Sequence, residues 1–185
     1  YDNSATNASA AYIFALTGGW SQEAYVKATN TGAGDLFGWS VAVAVGGDGF
    51  SVVVGAPGED SNAMGVNGNA FNNAATDAGA AYTYLRSGNS WSSNGYLKAR
   101  NTDPSDQFGW SVAAYSNWIV VGAPNEDGWD SGTAANPYNN NAPDAGAAYI
   151  FGRHVDDQAA FAWYAHDYEK ASNTDPGDQF GRAVA

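Results

Sequence analysis

One phrase is written three times in this chain of 185 residues: Tyr25-Val-Lys27-Ala-Thr-Asn30-Thr, Tyr96-Leu-Lys98-Ala-Arg-Asn101-Thr and Tyr168-Glu-Lys170-Ala-Ser-Asn173-Thr. Each copy is followed at the same distance by Asp35-Leu-Phe37-Gly38, Asp106-Gln-Phe108-Gly109 and Asp178-Gln-Phe180-Gly181. The interval from Phe to Phe is 71 residues, then 72. A fixed period of this kind denotes a supersecondary unit that cannot bury its own faces and stacks on copies of itself. The prediction is a single array over residues 1–185, in which most of the matched residues are architectural.

Four strand-like runs recur in each unit. They are Phe37 to Val45 with Phe108 to Tyr115, and Ser51 to Pro57 with Trp118 to Pro124. Ala10 to Phe14 is matched by Ala80 to Tyr84 and Ala147 to Phe151, and Trp20 to Ala28 by Trp91 to Ala99 and Trp163 to Ala171. β-Branched and aromatic residues fill these runs, while Gly, Pro, Asn and Asp separate them, and no window holds a 3.6-residue apolar period. The first and second runs are apolar or small on both faces, as expected for strands covered on both sides. The expected class is all-β, with four antiparallel strands per unit and almost no helix.

Charge narrows the partners. Seven basic residues stand against 19 acidic ones, for a net charge of −12, and all three Lys occupy one repeat position. No basic stripe is left to neutralise phosphates, which argues against nucleic acid, and an anionic membrane would repel the chain. No apolar run reaches the length of a membrane span, and without cysteine there is neither disulfide nor thiolate chemistry. The chain starts inside one motif and stops inside another, without an initiator Met, and reads as a processed or excised piece.

The paired motifs Phe37-Gly38 with Gly55-Ala56-Pro57, and Phe108-Gly109 with Gly122-Ala123-Pro124, resemble FG-GAP repeats. The Gly79-Ala-Ala-Tyr82 and Gly146-Ala-Ala-Tyr149 runs fit the strand that follows in such a repeat. The resemblance implies an integrin-α-like β-propeller with the Phe-Gly strand innermost, and a place in a secreted or cell-surface protein. In that register the chain holds about two and a half blades: an outer half-blade (1–28), two blades (35–99 and 106–171) and the first strand of a further blade (178–185). Propellers usually close with four or more blades. The family's usual calcium loop, between the first and second strands, does not carry over. Here that connection is Gly46-Gly-Asp48-Gly49 in one unit and Ser116-Asn117 in the other.

The long segment after each Gly-Ala-Pro is the most specific candidate site. Residues 58–77 and 125–144 align without gaps and keep Glu59/Glu126, Asp60/Asp127, Asn69/Asn136, Asn73/Asn140 and Asp77/Asp144, along with Asn72/Asn139 and Phe71/Tyr138. The N-terminus repeats the tail of this segment as Tyr1, Asp2, Asn3 and Asn7. Two readings stand side by side. Ca²⁺ takes six to eight oxygens from such groups, which would give one ion per loop on those ten residues. Alternatively, Asn and Asp cap turns by bonding their own backbone. Asp35, Asp106 and Asp178 read as turn formers, and the repeated Trp39 and Trp110 as packing between units. Trp129, on an acidic loop without a Trp counterpart, is the candidate exposed ligand contact.

Asp156-Asp157 and Glu59-Asp60 are adjacent acids, whereas glycoside hydrolysis needs two opposed carboxylates. No nucleophile or acid/base constellation stands out, and an enzyme is not expected. The expected function is a non-catalytic adhesion or ligand-binding module with a protein or glycan partner at the cell surface. The alternatives are a structural subunit of an extracellular assembly, self-associating through open blade edges, and a glycan-binding or glycan-active propeller.

Overall fold

The computed structural model describes residues 4–16, 18–46, 49–155 and 161–185. Asp48, Tyr1 to Asn3 and the Asp156-Asp157 pair lie outside the described residues. Ten strands form: β1 (Ala11–Leu16), β2 (Trp20–Val26), β3 (Ser40–Gly46), β4 (Gly49–Ala56), β5 (Ala80–Ser87), β6 (Ser90–Leu97), β7 (Ser111–Tyr115), β8 (Trp118–Ala123), β9 (Ala147–Val155) and β10 (Phe161–Glu169). They make three antiparallel sheets: β1-β2, β3-β4-β5-β6 and β7-β8-β9-β10. These are one half-blade and two whole blades of a β-propeller, with no helix among the described residues.

The Phe-Gly and Gly-Ala-Pro motifs join one blade to the next. Gly38, Gly109 and Gly181 adopt φ of +95°, +91° and +83°, a region open to glycine and strained for other residues. The turn lets each Phe amide bond the preceding blade (Phe37 N to Ala8 O, Phe108 N to Ala78 O, Phe180 N to Ala145 O). The glycine backbone then presses on the preceding blade's Gly-Ala-Pro strand. A Cβ on Gly55 would run into the Gly109 carbonyl oxygen, and one on Gly122 into that of Gly181. The hydroxyls of Ser40 and Ser111 donate across the same joints, to Gly109 O at 2.8 Å and Gly181 O at 2.7 Å. Phe37 and Phe108 therefore precede their strands rather than open them.

Two expectations change. First, β3 and β7 are not covered on both faces. Val112 of β7 lies buried in one core cluster with Ala42 of β3 packed against it, but Val41, Val43 and Val45 point outward. β4 is buried from Ser51 to Ala56. Second, residues 178–185 do not form a strand. They make one bridge, Phe180 to Gly146. Along the joints Trp39 packs against Trp110 with centroids 4.8 Å apart and planes tilted by 50°, and the Arg182 guanidinium lies 5.8 Å over Trp110. Trp91 and Trp163 donate to the preceding unit, to Glu23 Oε2 at 3.0 Å and Asn94 Oδ1 at 2.9 Å. Trp39, Trp91, Trp110 and Trp163 thus pack between blades, whereas Trp20 stands exposed.

Candidate functional site

Beneath each long loop lies a buried polar anchor. Glu59 Oε1 accepts from Asn30 Nδ2 (2.8 Å) and the Tyr96 hydroxyl (2.9 Å), while Oε2 accepts from Lys98 Nζ (2.9 Å) and the Ser61 amide (3.2 Å). The Tyr82 hydroxyl donates to Asn30 Oδ1 at 2.7 Å. The second blade repeats the arrangement. Asn101 Nδ2 donates to Glu126 Oε1 (2.9 Å), Lys170 Nζ and the Gly128 amide donate to Oε2 (2.8 and 3.0 Å), and Tyr149 donates to Asn101 Oδ1 (2.8 Å). In both units the asparagine enters from the linker before the blade.

Burial governs the electrostatics here. The phenols of Tyr82, Tyr96 and Tyr149 are pushed up, first by loss of water and then by the adjacent glutamate charge. Desolvation pulls the Lys98 ammonium down, against the pull of Glu59. Burial raises Asp35 and pushes Asp106 up to about 8. The Asp carboxylates close turns: Asp35 Oδ2 accepts from Gly32 N (2.6 Å), Asp106 Oδ2 from Asp103 N (3.1 Å) and Asp178 Oδ2 from Asp175 N (2.9 Å).

The rest of each loop is held by its own side chains. Asp60 Oδ1 and Asp127 Oδ1 accept the amides of Asp77 and Asp144, both at 2.9 Å. Asp77 and Asp144 themselves sit at φ +53°, where Asn and Asp are the commonest non-glycine residues. Asn69 Oδ1 accepts from Phe71 N and Asn136 Oδ1 from Tyr138 N. Asn72 crosses its loop to Asn62 N and Ser61 Oγ, and Asn139 crosses to Trp129 N. Asn140 bonds Asp103 at 2.9 Å, and Asn73 is exposed. Near its midpoint each loop runs beside the end of the fourth strand, through the bridges Val66 to Leu97 and Thr133 to Glu169.

The ten residues take separate places in the structure. Glu59 and Glu126 face the core, with their oxygens taken by Lys, Asn and backbone amides. Asp60 and Asp77 are joined carboxylate to backbone, not carboxylate beside carboxylate. Among the described residues no three acids or histidines gather around one point. Among the side chains the loops expose are the large apolar ones Met64, Phe71, Trp129 and Tyr138. Beside Phe71 an open groove of about 550 Å³ is lined by Asn67, Asn69, Ser93, Asn94 and Tyr96.

The model of the FG-GAP repeat matches residues 20–84 and 91–151, well over half of the chain. The chain belongs to the FG-GAP repeat family. Both matched segments contain one Phe-Gly and Gly-Ala-Pro joint, and FG-GAP repeats are typically found in extracellular or cell-surface proteins. No curated protein matches the chain. The FG-GAP motif letters account for the joints. The Glu, Lys, Asn and Tyr anchor was missed in the sequence, although three lysines confined to one repeat position were its signal.

Proposed function

We propose that this FG-GAP array is a non-catalytic ligand-binding and adhesion module working in a secreted or cell-surface protein, and that the long loops are its binding face. The observation that carries the reading is the set of exposed aromatics, Phe71, Trp129 and Tyr138, on loops braced by their own hydrogen bonds. An aromatic side chain standing in water costs free energy, and a rigid support lowers the ordering cost of binding. The groove beside Phe71 is lined by amides and hydroxyls without a charged side chain, which suits the hydroxyl pattern of a neutral glycan. Glu59 and Glu126 are held by buried lysines, which supports a structural role for these two acids.

A panel of neutral and acidic glycans tests the proposal, read by quenching of tryptophan fluorescence and by surface adhesion. Binding of a neutral glycan should weaken at least tenfold in Phe71→Ala, and melting should be unchanged because the ring is solvent-exposed. Equal binding by wild type and by the triple variant F71A/W129A/Y138A would overturn it.

A further inference from the structure

The groove beside Phe71 has a counterpart in the next blade that lacks its chemistry. Its walls are the linker at Thr29, the first long loop and β6. Both blades lay the same loop beside the end of a fourth strand, so residues that the fold requires should recur. At the positions of Thr29, Asn67, Ser93 and Asn94 the second blade has Arg100, Ala134, Ala165 and His166. Of the groove's three asparagines only Asn69 recurs, as Asn136. The second blade folds without this neutral set of amides and hydroxyls, so the fold does not account for it.

The three amides are oriented alike. Asn67 Oδ1 accepts the Tyr96 amide (3.0 Å), Asn69 Oδ1 the Phe71 amide (3.0 Å) and Asn94 Oδ1 the Trp163 Nε1 (2.9 Å). Backbone and indole N–H groups only donate, so the atom facing each of them is the amide oxygen. That leaves the Nδ2 of Asn67, Asn69 and Asn94 as donors for a ligand. The nearby carbonyls are already engaged. Asn69 O accepts Ser61 Oγ and Asn72 Nδ2, Ala70 O accepts Asn30 Nδ2, and Tyr96 O accepts the Asn67 amide. The groove therefore offers donors in excess, beside the exposed Phe71 ring.

We propose that this groove takes a neutral N-acetylated sugar, with the acetamido oxygen received by the asparagine Nδ2 groups and the acetyl methyl set against Phe71. The inference rests on the reading of the loops as a glycan-binding face and names the sugar. An excess of donors calls for a ligand rich in acceptors. A carboxylate or sulfate would meet a chain of net charge −12 with no cation in the groove. A plain hydroxyl brings a proton of its own, for which the engaged carbonyls leave little room. An acetamide brings a strong neutral acceptor, a methyl group that gains by leaving water, and one N–H that the Ser93 or Thr29 hydroxyl can accept. The volume of about 550 Å³ lies within the range of about 300–1,000 Å³ usual for ligand sites.

Calorimetric titration with triacetylchitotriose, cellotriose and de-acetylated chitotriose tests this, since the three share one backbone and differ in bearing an acetamido, hydroxyl or ammonium group. The acetylated sugar should bind at least about tenfold more tightly than either of the others, the scale of one well-placed hydrogen bond. N67D and N94D keep the oxygen that holds the protein and replace the free donor with an acceptor, so each should weaken that binding by about tenfold or more while Tm stays unchanged. Equal binding of cellotriose, tighter binding of the ammonium sugar, or full binding by both variants overturns the proposal. If cellotriose binds as tightly and Phe71→Ala abolishes it, the groove remains a glycan site and only the acetamido assignment falls. If no sugar of the wider panel binds either, both readings fall.

Discussion

Replacing Lys98 with Met keeps most of the stem and removes the charge, leaving the Glu59 carboxylate buried with neutral donors only. The two side chains are 0% and 2% exposed and 2.9 Å apart. Breaking a buried pair on one side costs about 3–5 kcal/mol, because the remaining charge has lost its counter-ion. Asn30, Tyr96 and the Ser61 amide still bond Glu59, which places the expected loss near the lower end, about 3 kcal/mol. For a chain of 150–250 residues this lowers Tm by about 6–12 °C. The double variant E59Q/K98M removes both charges and keeps an acceptor for Asn30 and Tyr96, and should recover about 2 kcal/mol of that loss. Urea unfolding followed by tryptophan fluorescence measures all four corners of the cycle. The equivalent pair in the second blade, Lys170 and Glu126, should give the same pattern and acts as an internal replicate. A K98M variant within 1 kcal/mol of wild type, or a double variant no better than the sum of the singles, would refute the assignment of Glu59 as a charge dependent on its lysine.

Asp106 titrates near 8 in the fold through burial, against about 3.9 when unfolded. The unfolded chain therefore gives up this proton first, and stability falls as pH rises from about 4 to 8, by up to ~1.4 kcal/mol per unit. Asp106→Asn retains an acceptor for the Asp103 amide, should flatten that fall and should melt higher than wild type at pH 8; parallel curves of Tm against pH would contradict this. Gly55→Ala forces a methyl into the Gly109 carbonyl between two blades and should cost at least 1–3 kcal/mol in urea unfolding, whereas Gly19→Ala, with open space around it, should be nearly neutral. Millimolar Ca²⁺ should leave Tm unchanged relative to chelator, because Glu59 and Glu126 are bonded to buried lysines and no three acids gather around one point among the described residues; a rise of several degrees would show a bound ion.

The repeat made the blades legible because a strand's period and its turn residues are local properties. Two kinds of information were not local. The exposure of Val41, Val43 and Val45 depends on what stands before the first blade, and composition alone does not reveal it. The roles of Glu59 and Asp60 depend on which of two adjacent carboxylates turns inward. The backbone sends Glu59 to Lys98, 39 residues on, and leaves Asp60 at the loop base to hold the Asp77 amide. Side by side in the sequence, the two acids look like a common ligand set. The turn-forming role of Asp35, Asp106 and Asp178 was legible, since each acts on an amide three residues before it.

Asn30 and Asn101 complete the cores of blades that begin only after them, and this shifts the true module boundary. A blade excised from residue 35 would lose the amide that spans Glu59 and Tyr82, whereas a piece beginning at residue 30 would retain it. Shuffling or transplanting these repeats therefore requires cutting upstream of the asparagine, within the connecting segment, so that each unit travels with its own keystone.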